Sequence, residues 1–214
     1  MRTLVVGDIH SGVRALEQLM IKAKVTSKDH IIFLGDYVDA WSTAVETVDY
    51  LIRLQREYRC TFIRGNHDEL CRAWLMDQKE NPQWLELKNY HLTDDNRLYL
   101  HAGYTNLKGI DYEYFEQTFY WDRTLWELAT AMDRNLEPSD PKFPKRLTHY
   151  KEVYIGHTPL SKTAFVEPQK RANVWNVDTG AAFKGGLTMM DVESKEYWQS
   201  DPVFTFYPGE RGRN

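Results

Sequence analysis

Five stretches of this chain share one form, an apolar run closed by residues that can hold a cation. Leu4-Val5-Val6 runs into Gly7-Asp8-Ile9-His10, and Ile31 to Leu34 runs into Gly35-Asp36 with Asp39 three residues on. Cys60 to Ile63 leads through Arg64-Gly65 to Asn66-His67, Leu98 to Leu100 ends on His101, and Val153 to Ile155 ends on Gly156-His157. Aspartate, histidine and asparagine together suit manganese, iron or zinc better than calcium or magnesium, which favour all-oxygen shells. A single carboxylate can bridge two cations roughly 3.5–4 Å apart, the arrangement of hydrolytic metal pairs. Asp36 has no lysine or arginine close along the chain, so its expected counter-charge is metal. Asp39 lies further along the turn and is better placed to hold an imidazole than to ligate. Any one cluster alone reads as a turn or a structural histidine; five in one chain, each at the end of an apolar run, point to one site.

The elements that must bring these groups together are legible in the apolar spacing. Leu4 to Val6, Ile31 to Leu34 and Cys60 to Ile63 read as strands. Between them, Val13, Leu16, Leu19, Met20 and Ala23 recur at helical spacing, as do Val45, Val48, Leu51 and Ile52 after a Thr43–Glu46 capping pair. With a helix over Glu69 to Met76 the first third is βαβαβα, an α/β arrangement with a parallel sheet. In such sheets ligands sit beyond the carboxyl ends of the strands, so all five polar clusters can face one edge. The second half is expected to hold a strand at Leu98 to Leu100, a helix from Trp121 to Met132, and a loop over Glu137 to Lys145 with Pro138, Pro141 and Pro144. Strands are then expected at Val153 to Ile155, Val174 to Val177, Leu187 to Asp191 and Val203 to Phe206, with Asp178-Thr179-Gly180 a turn and residues 208–214 a fraying tail.

The chain has 214 residues with a net charge of −4, 42% hydrophobic and 27% charged, which fits one soluble domain spanning residues 1–214. A negative balance argues against a nucleic-acid-binding surface, and no apolar run is long enough to span a bilayer. Two cysteines, Cys60 and Cys71, make no disulfide framework, and Met1-Arg2 leads straight into a strand with no room for a signal peptide. The setting expected on these grounds is cytoplasmic. Oligomeric state is not legible.

The set "GDIH", "GDYVD", "RGNHDE", "LHAG" and "GHT" resembles the calcineurin-like metallophosphoesterase superfamily. It looks most like the branch of Ser/Thr protein phosphatases, their bacterial and phage relatives and symmetrical dinucleoside tetraphosphate hydrolases, and "NVDTGAAFKGGLTMMDV" extends the likeness. The resemblance implies a two-sheet β sandwich flanked by helices (αββα) and two divalent transition cations, manganese first, with iron or zinc as alternatives. Asp8 and His10 would bind the first ion, Asp36 would bridge both, and Asn66, His101 and His157 would bind the second. His67, oriented by Asp39, would be the general acid, and Arg123 in "YWDRTLW" would bind phosphate. The implied activity is hydrolysis of a phosphomonoester, such as a phosphoprotein, by a hydroxide activated between the two metals. The alternative substrate is a dinucleoside tetraphosphate or another small phosphoester, and a third reading is a non-catalytic module on the same fold.

The chain departs from the family at three points. Ala40 stands where an arginine that clamps phosphate is usual, and its absence removes a contact worth roughly 1.5–3 kcal/mol. Arg64 is one candidate replacement, and Trp41 offers either a flat wall for an aromatic group or simple packing. Ser11 replaces a common glycine after the histidine. "GHTP" lacks the second histidine of the form common in cyclic-nucleotide phosphodiesterases and nucleases of the superfamily.

Overall fold

The structure, a computed structural model, describes residues 1–78, 85–163 and 166–213. Strands β1 (Thr3–Val6), β2 (His30–Phe33) and β3 (Arg59–Ile63) lie parallel, joined by helices α1 (Val13–Lys22) and α2 (Ala44–Glu57). Helix α3 (Asn66–Asp77) follows, and β4 (Leu87–Lys88) pairs parallel with β3. The second sheet is built from β5 (Tyr90–Leu92), β6 (Arg97–Leu100), β7 (Glu152–Ile155), β8 (Gln169–Arg171) and β9 (Val174–Asn176), with helices α4 (Thr118–Trp121) and α5 (Thr124–Ala131) between β6 and β7. The chain returns to the first sheet with β10 (Thr188–Asp191) and β11 (Tyr197–Gln199). The orders are β11-β10-β1-β2-β3-β4 and β5-β6-β7-β9-β8.

Three apolar clusters hold these layers. Val5, Ile32, Ile63, Tyr99, Tyr154 and Met190 form the seam between the sheets. On the outer face of the first sheet, Leu4, Val6, Ile31 and Phe33 meet Leu16 and Leu19 of α1 and Leu51 of α2. On the outer face of the second, Leu98, Leu100, Val153 and Ile155 meet Leu125 and Ala129 of α5. Strands buried on both faces carry no polar alternation, which is why β2 reads His-Ile-Ile-Phe with every residue buried. The result is the αββα sandwich expected from the sequence.

Several local expectations need correction. The helix expected over Trp121 to Met132 is two helices, because Asp122 is extended and its carboxylate accepts from the Thr124 and Leu125 amides, 3.0 Å each, capping α5. Val203–Phe206 is a 3-10 turn rather than a strand: Pro202 brings no N–H to a ladder, and the edge is taken by β11. Thr43 precedes α2 but caps nothing with its side chain; its Oγ1 donates to Ser11 O at 2.5 Å instead. The stretch expected to fray is tied down through Arg213, with Asn214 outside the described residues. The Ser42 amide and hydroxyl donate to Glu210 at 2.9 and 2.7 Å, and the Arg213 amide donates to Ala182 O at 2.9 Å. Among the described residues no helix is long and apolar enough to cross a membrane.

Candidate metal centre and its surroundings

β1, β2 and β3 run parallel in one sheet and β6, β7 and β9 in the other, so their carboxyl ends can meet. They do: the His157 amide, after β7, donates to both Asp8 oxygens, after β1, at 3.0 and 3.2 Å. Two groups of potential ligands form there, Asp8-His10-Asp36 and Asp36-His101-His157, with ligand atoms within 4.8 Å of one another in each group and Asp36 common to both. All five residues are buried. Asn66, the first residue of α3, brings its Oδ1 to 3.1 Å from His101 Nε2.

The histidines are oriented as ligands would be. His10 Nδ1 donates to Asp39 O at 3.2 Å, His101 Nδ1 donates to Leu34 O at 2.8 Å, and His157 bonds the Trp121 carbonyl. With Nδ1 committed to backbone, each Nε2 lone pair faces inward, the outer-shell arrangement that fixes tautomer and ring angle at metal sites. His157 Nε2 is buried with no hydrogen-bond partner. His10 Nε2 and His101 Nε2 each stand 3.5 Å from Asp36 Oδ2.

The electrostatics point the same way. Burial, then the charges of Asp178 and Asp36, holds the Asp8 carboxyl well above the usual carboxylate range. Burial pushes Asp36 up to about 7. Burial also lowers His10 well below the usual imidazole value, His101 to about 4 and His157 to about 2. Burial is the leading cause in every case: the charged form of each group is disfavoured in a site closed to water. A buried carboxylate-imidazole set of this kind fits divalent transition cations, which accept both donor types.

The backbone is shaped around these groups. Ten described non-glycine residues have positive φ, and His10, Ser11, Asp36, Asp39, Ala40 and His157 are six of them. Each costs of order 1–3 kcal/mol, and such residues persist where the surroundings over-determine them. Gly65 and Gly156 have no room for a Cβ, which would collide with the carboxylates of Asp36 and Asp8. Asp68 holds the loop that presents Asp36: its carboxylate accepts from the Asp36, Tyr37 and Gly65 amides at 2.8, 2.8 and 2.9 Å. The His67 amide, in the first turn of α3, donates to Asp36 Oδ1 at 2.9 Å.

At the rim, His67 Nδ1 donates to Asp39 Oδ2 at 2.7 Å, the orienting contact expected for that pair. Arg123 NH1 donates to His157 O at 3.1 Å and Thr158 Oγ1 at 3.2 Å, beside Trp121. His67, Trp121, Arg123, His157 and Thr158 line a cavity of about 360 Å³ together with Asp178, Phe183 and Arg213. The other two expectations go elsewhere. Arg64 turns towards Glu69 and Glu116, at 3.7 and 3.9 Å, and does not line the cavity. Trp41 is buried, stacks on Tyr207 at 5.3 Å and donates Nε1 to Ala181 O at 2.9 Å, so it is packing and not a substrate wall.

Three contributors escaped the sequence reading. Asp68 sits inside "RGNHDE" and could have been found there. Asp178 closes Val174 to Val177 in the same form as the other five clusters but reads as a turn. Arg213 has no local signal at all.

The family model described as calcineurin-like phosphoesterase matches residues 1–182. The asymmetrical bis(5'-nucleosyl)-tetraphosphatase PrpE of Oceanobacillus iheyensis is 23% identical over 232 residues, covering 92% of this chain and 91% of its own. The serine/threonine-protein phosphatase 6 catalytic subunit of Drosophila melanogaster is 39% identical over 66 residues, 30% of this chain and 22% of that protein. Among solved structures, a putative diadenosine tetraphosphatase superposes with a TM-score of 0.65 at 18% identity, covering 92% of each chain. A cold-active protein-tyrosine phosphatase of a psychrophilic Shewanella species superposes with a TM-score of 0.63 at 13% identity, covering 94% of this chain and 80% of that one.

Proposed function

We propose, for a chain that belongs to the calcineurin-like phosphoesterase family, that it hydrolyses phosphate monoesters with an uncharged, apolar or aromatic leaving group. The observation that carries this reading is an apolar groove of about 500 Å³ between α2 and α3 that shares His67 and Leu70 with the metal-site cavity. Val38, Val48, Leu70, Trp74 and Leu75 line it, and its charged lining, Asp39 and Asp49, is acidic. A leaving group carrying further phosphates would meet those carboxylates without a counter-charge, whereas a phenyl ring or a peptide side chain would meet apolar surface.

Asp8, His10 and Asp36 would hold one cation and Asp36, Asn66, His101 and His157 a second, manganese in our reading. Such a pair, when bound, supplies Lewis acidity and lowers the pKa of a water to a value useful near neutrality. The protein's own groups do the rest. Arg123 offers a planar fork to phosphoryl oxygens at the mouth, the geometry that suits bidentate anion binding. Asp39 accepts from Nδ1 and fixes the ring angle of His67 so that Nε2 faces the cavity; as the imidazolium, with one proton held by Asp39 and the second on Nε2, His67 gives the second to the leaving oxygen. Leu70 and Trp74, exposed in the groove wall, give the leaving group an apolar surface from which it would displace water.

A second reading, hydrolysis of a dinucleoside polyphosphate, is favoured by the tetraphosphatase relative that matches along 92% of this chain. A kinetic panel separates the two. The expected order of kcat/KM is p-nitrophenyl phosphate and phosphotyrosine peptides first and diadenosine tetraphosphate last. A tetraphosphate cleaved far faster than every monoester would replace the first reading with the second. In the same assay His67→Asn is expected to slow turnover roughly 10²-fold with metal content unchanged, the loss typical of a missing acid; loss of metal instead would make His67 a ligand.

A further inference from the structure

The cavity over the candidate metal centre is served by two guanidinium groups that come from opposite parts of the sequence. Arg123 stands beside His157 and Thr158. Arg213 enters from the last described residues, and its NH1 donates to His67 Nε2. Both line the same cavity. Arg213 has no carboxylate partner among the described residues. An arginine that is held in place, has no carboxylate bonded to it among the described residues and faces a cavity of about 360 Å³ can take an anion from solution.

Its position is built rather than accidental. Tyr207 stacks on Trp41, and its hydroxyl donates to Ser11 O at 3.1 Å. Glu210 accepts from the Ser42 amide and hydroxyl, and the Arg213 amide is bonded to Ala182 O. Gly212 has φ +58 and lies so close to the Trp41 ring that a Cβ would press on it. Residues 207–213 therefore form a strap laid over the loop 40–42. Ala40 carries no charge into the site, and Trp41 is the platform on which the strap rests.

We propose that Arg213, delivered by this strap, binds the phosphoryl oxygens of the substrate as the partner of Arg123. The choice of a phosphoryl anion rests on the phosphomonoesterase reading above. On binding, the guanidinium leaves His67 Nε2 and turns its N–H groups to the anion, which frees the Nε2 lone pair to take a proton from water and pass it to the leaving oxygen. Both rearrangements are side-chain rotations and need no change in the strap.

The test is the affinity of the metal-replete protein for inorganic phosphate, measured by titration calorimetry and as competitive inhibition of p-nitrophenyl phosphate hydrolysis. Arg213→Ala is expected to weaken phosphate binding by about tenfold or more, the range for a lost hydrogen-bonded ion pair. Arg213→Lys should fall between the two, since it keeps the charge and loses the fork. Glu210→Gln, which loosens the strap without touching the cavity, should weaken phosphate binding by a smaller factor. Equal metal content in all four proteins keeps the comparison on the anion. Phosphate bound as tightly by Arg213→Ala as by the parent overturns the proposal, as does a rise in kcat/KM on that substitution, which would make the strap an inhibitory arm. The calorimetric arm needs no turnover. A parent that binds phosphate through Arg213 but cleaves no monoester would therefore retain the arginine's role and discard the phosphatase reading, and the reverse pattern would do the opposite.

Discussion

Strands β6 and β7 bury charge at both of their ends, and the two ends treat it differently. At the amino end, Arg97 Nε donates to Glu152 Oε2 at 2.9 Å, while NH1 and NH2 donate to Glu193 at 2.5 and 3.0 Å. Lys195 Nζ donates to Glu152 at 2.7 Å and to the Tyr154 hydroxyl at 2.6 Å, and Trp175 Nε1 donates to the other Glu152 oxygen at 3.2 Å. Burial pushes the Glu152 carboxyl up, and the hydrogen bonds from Lys195 and Tyr154 more than reverse it, to about 2. At the carboxyl end, four or five residues along the same strands, His101 and His157 face Asp8 and Asp36, and among the described residues no lysine or arginine is bonded to either carboxylate. The first cluster is complete in itself and holds the sandwich together. The second leaves its carboxylates with no bonded cationic side chain among the described residues, which fits a candidate metal site. Burial alone does not distinguish a structural polar cluster from a site; the presence or absence of partners does.

Asp36→Asn should break this contrast most. Losing the shared carboxylate is expected to cut kcat/KM by at least ~10³-fold, several kcal/mol of transition-state stabilisation. The same change in chelator-treated protein should raise the melting temperature, because it removes a buried carboxylate that no bound cation then balances. A melting temperature that falls instead would mean that the carboxyl end is already satisfied. Arg97→Met probes the other end. It should cost roughly 3 kcal/mol in denaturant unfolding, at the lower edge for a broken buried pair because Lys195 still faces Glu152. Turnover per folded molecule should not change. The smallest effect is one of pH. The folded carboxyl of Glu152 is depressed from 4.5 to about 2. Its stabilisation is thus complete above pH 4.5 and is lost as pH falls from there towards 2. Glu152→Gln should flatten the acid limb of the stability curve over that window, as measured by unfolding at a series of pH values.

The first half of the fold was legible because each strand there is buried on both faces and each helix on one, so apolar spacing and burial coincide. β1 to β3 and α1 lie within a residue or two of expectation, whereas α2 runs on to Glu57 and leaves Val45, expected in its buried stripe, exposed. The short edge strands were not legible. β4, β5, β8 and β11 have two or three residues each, most of them partly exposed, and owe their conformation to a neighbour rather than to their own composition. The same division holds at the site. Asp8, His10, Asp36, Asn66, His101 and His157 announce themselves by closing apolar runs. Arg213 sits in a polar stretch with two glycines and reaches the cavity only through the stack of Tyr207 on Trp41, a contact between residues 166 positions apart that no local pattern encodes.

The bond from the His157 amide to Asp8 spans 149 residues. Nearly the whole sandwich must have closed before these two meet, and contacts of such separation form late because loop closure must precede them. A fragment that lacks either end of the span from Asp8 to His157 lacks part of the candidate ligand set. During refolding, metal affinity should appear only with the final cooperative step, so that cation uptake reports completion of the native state and not the progress of its parts.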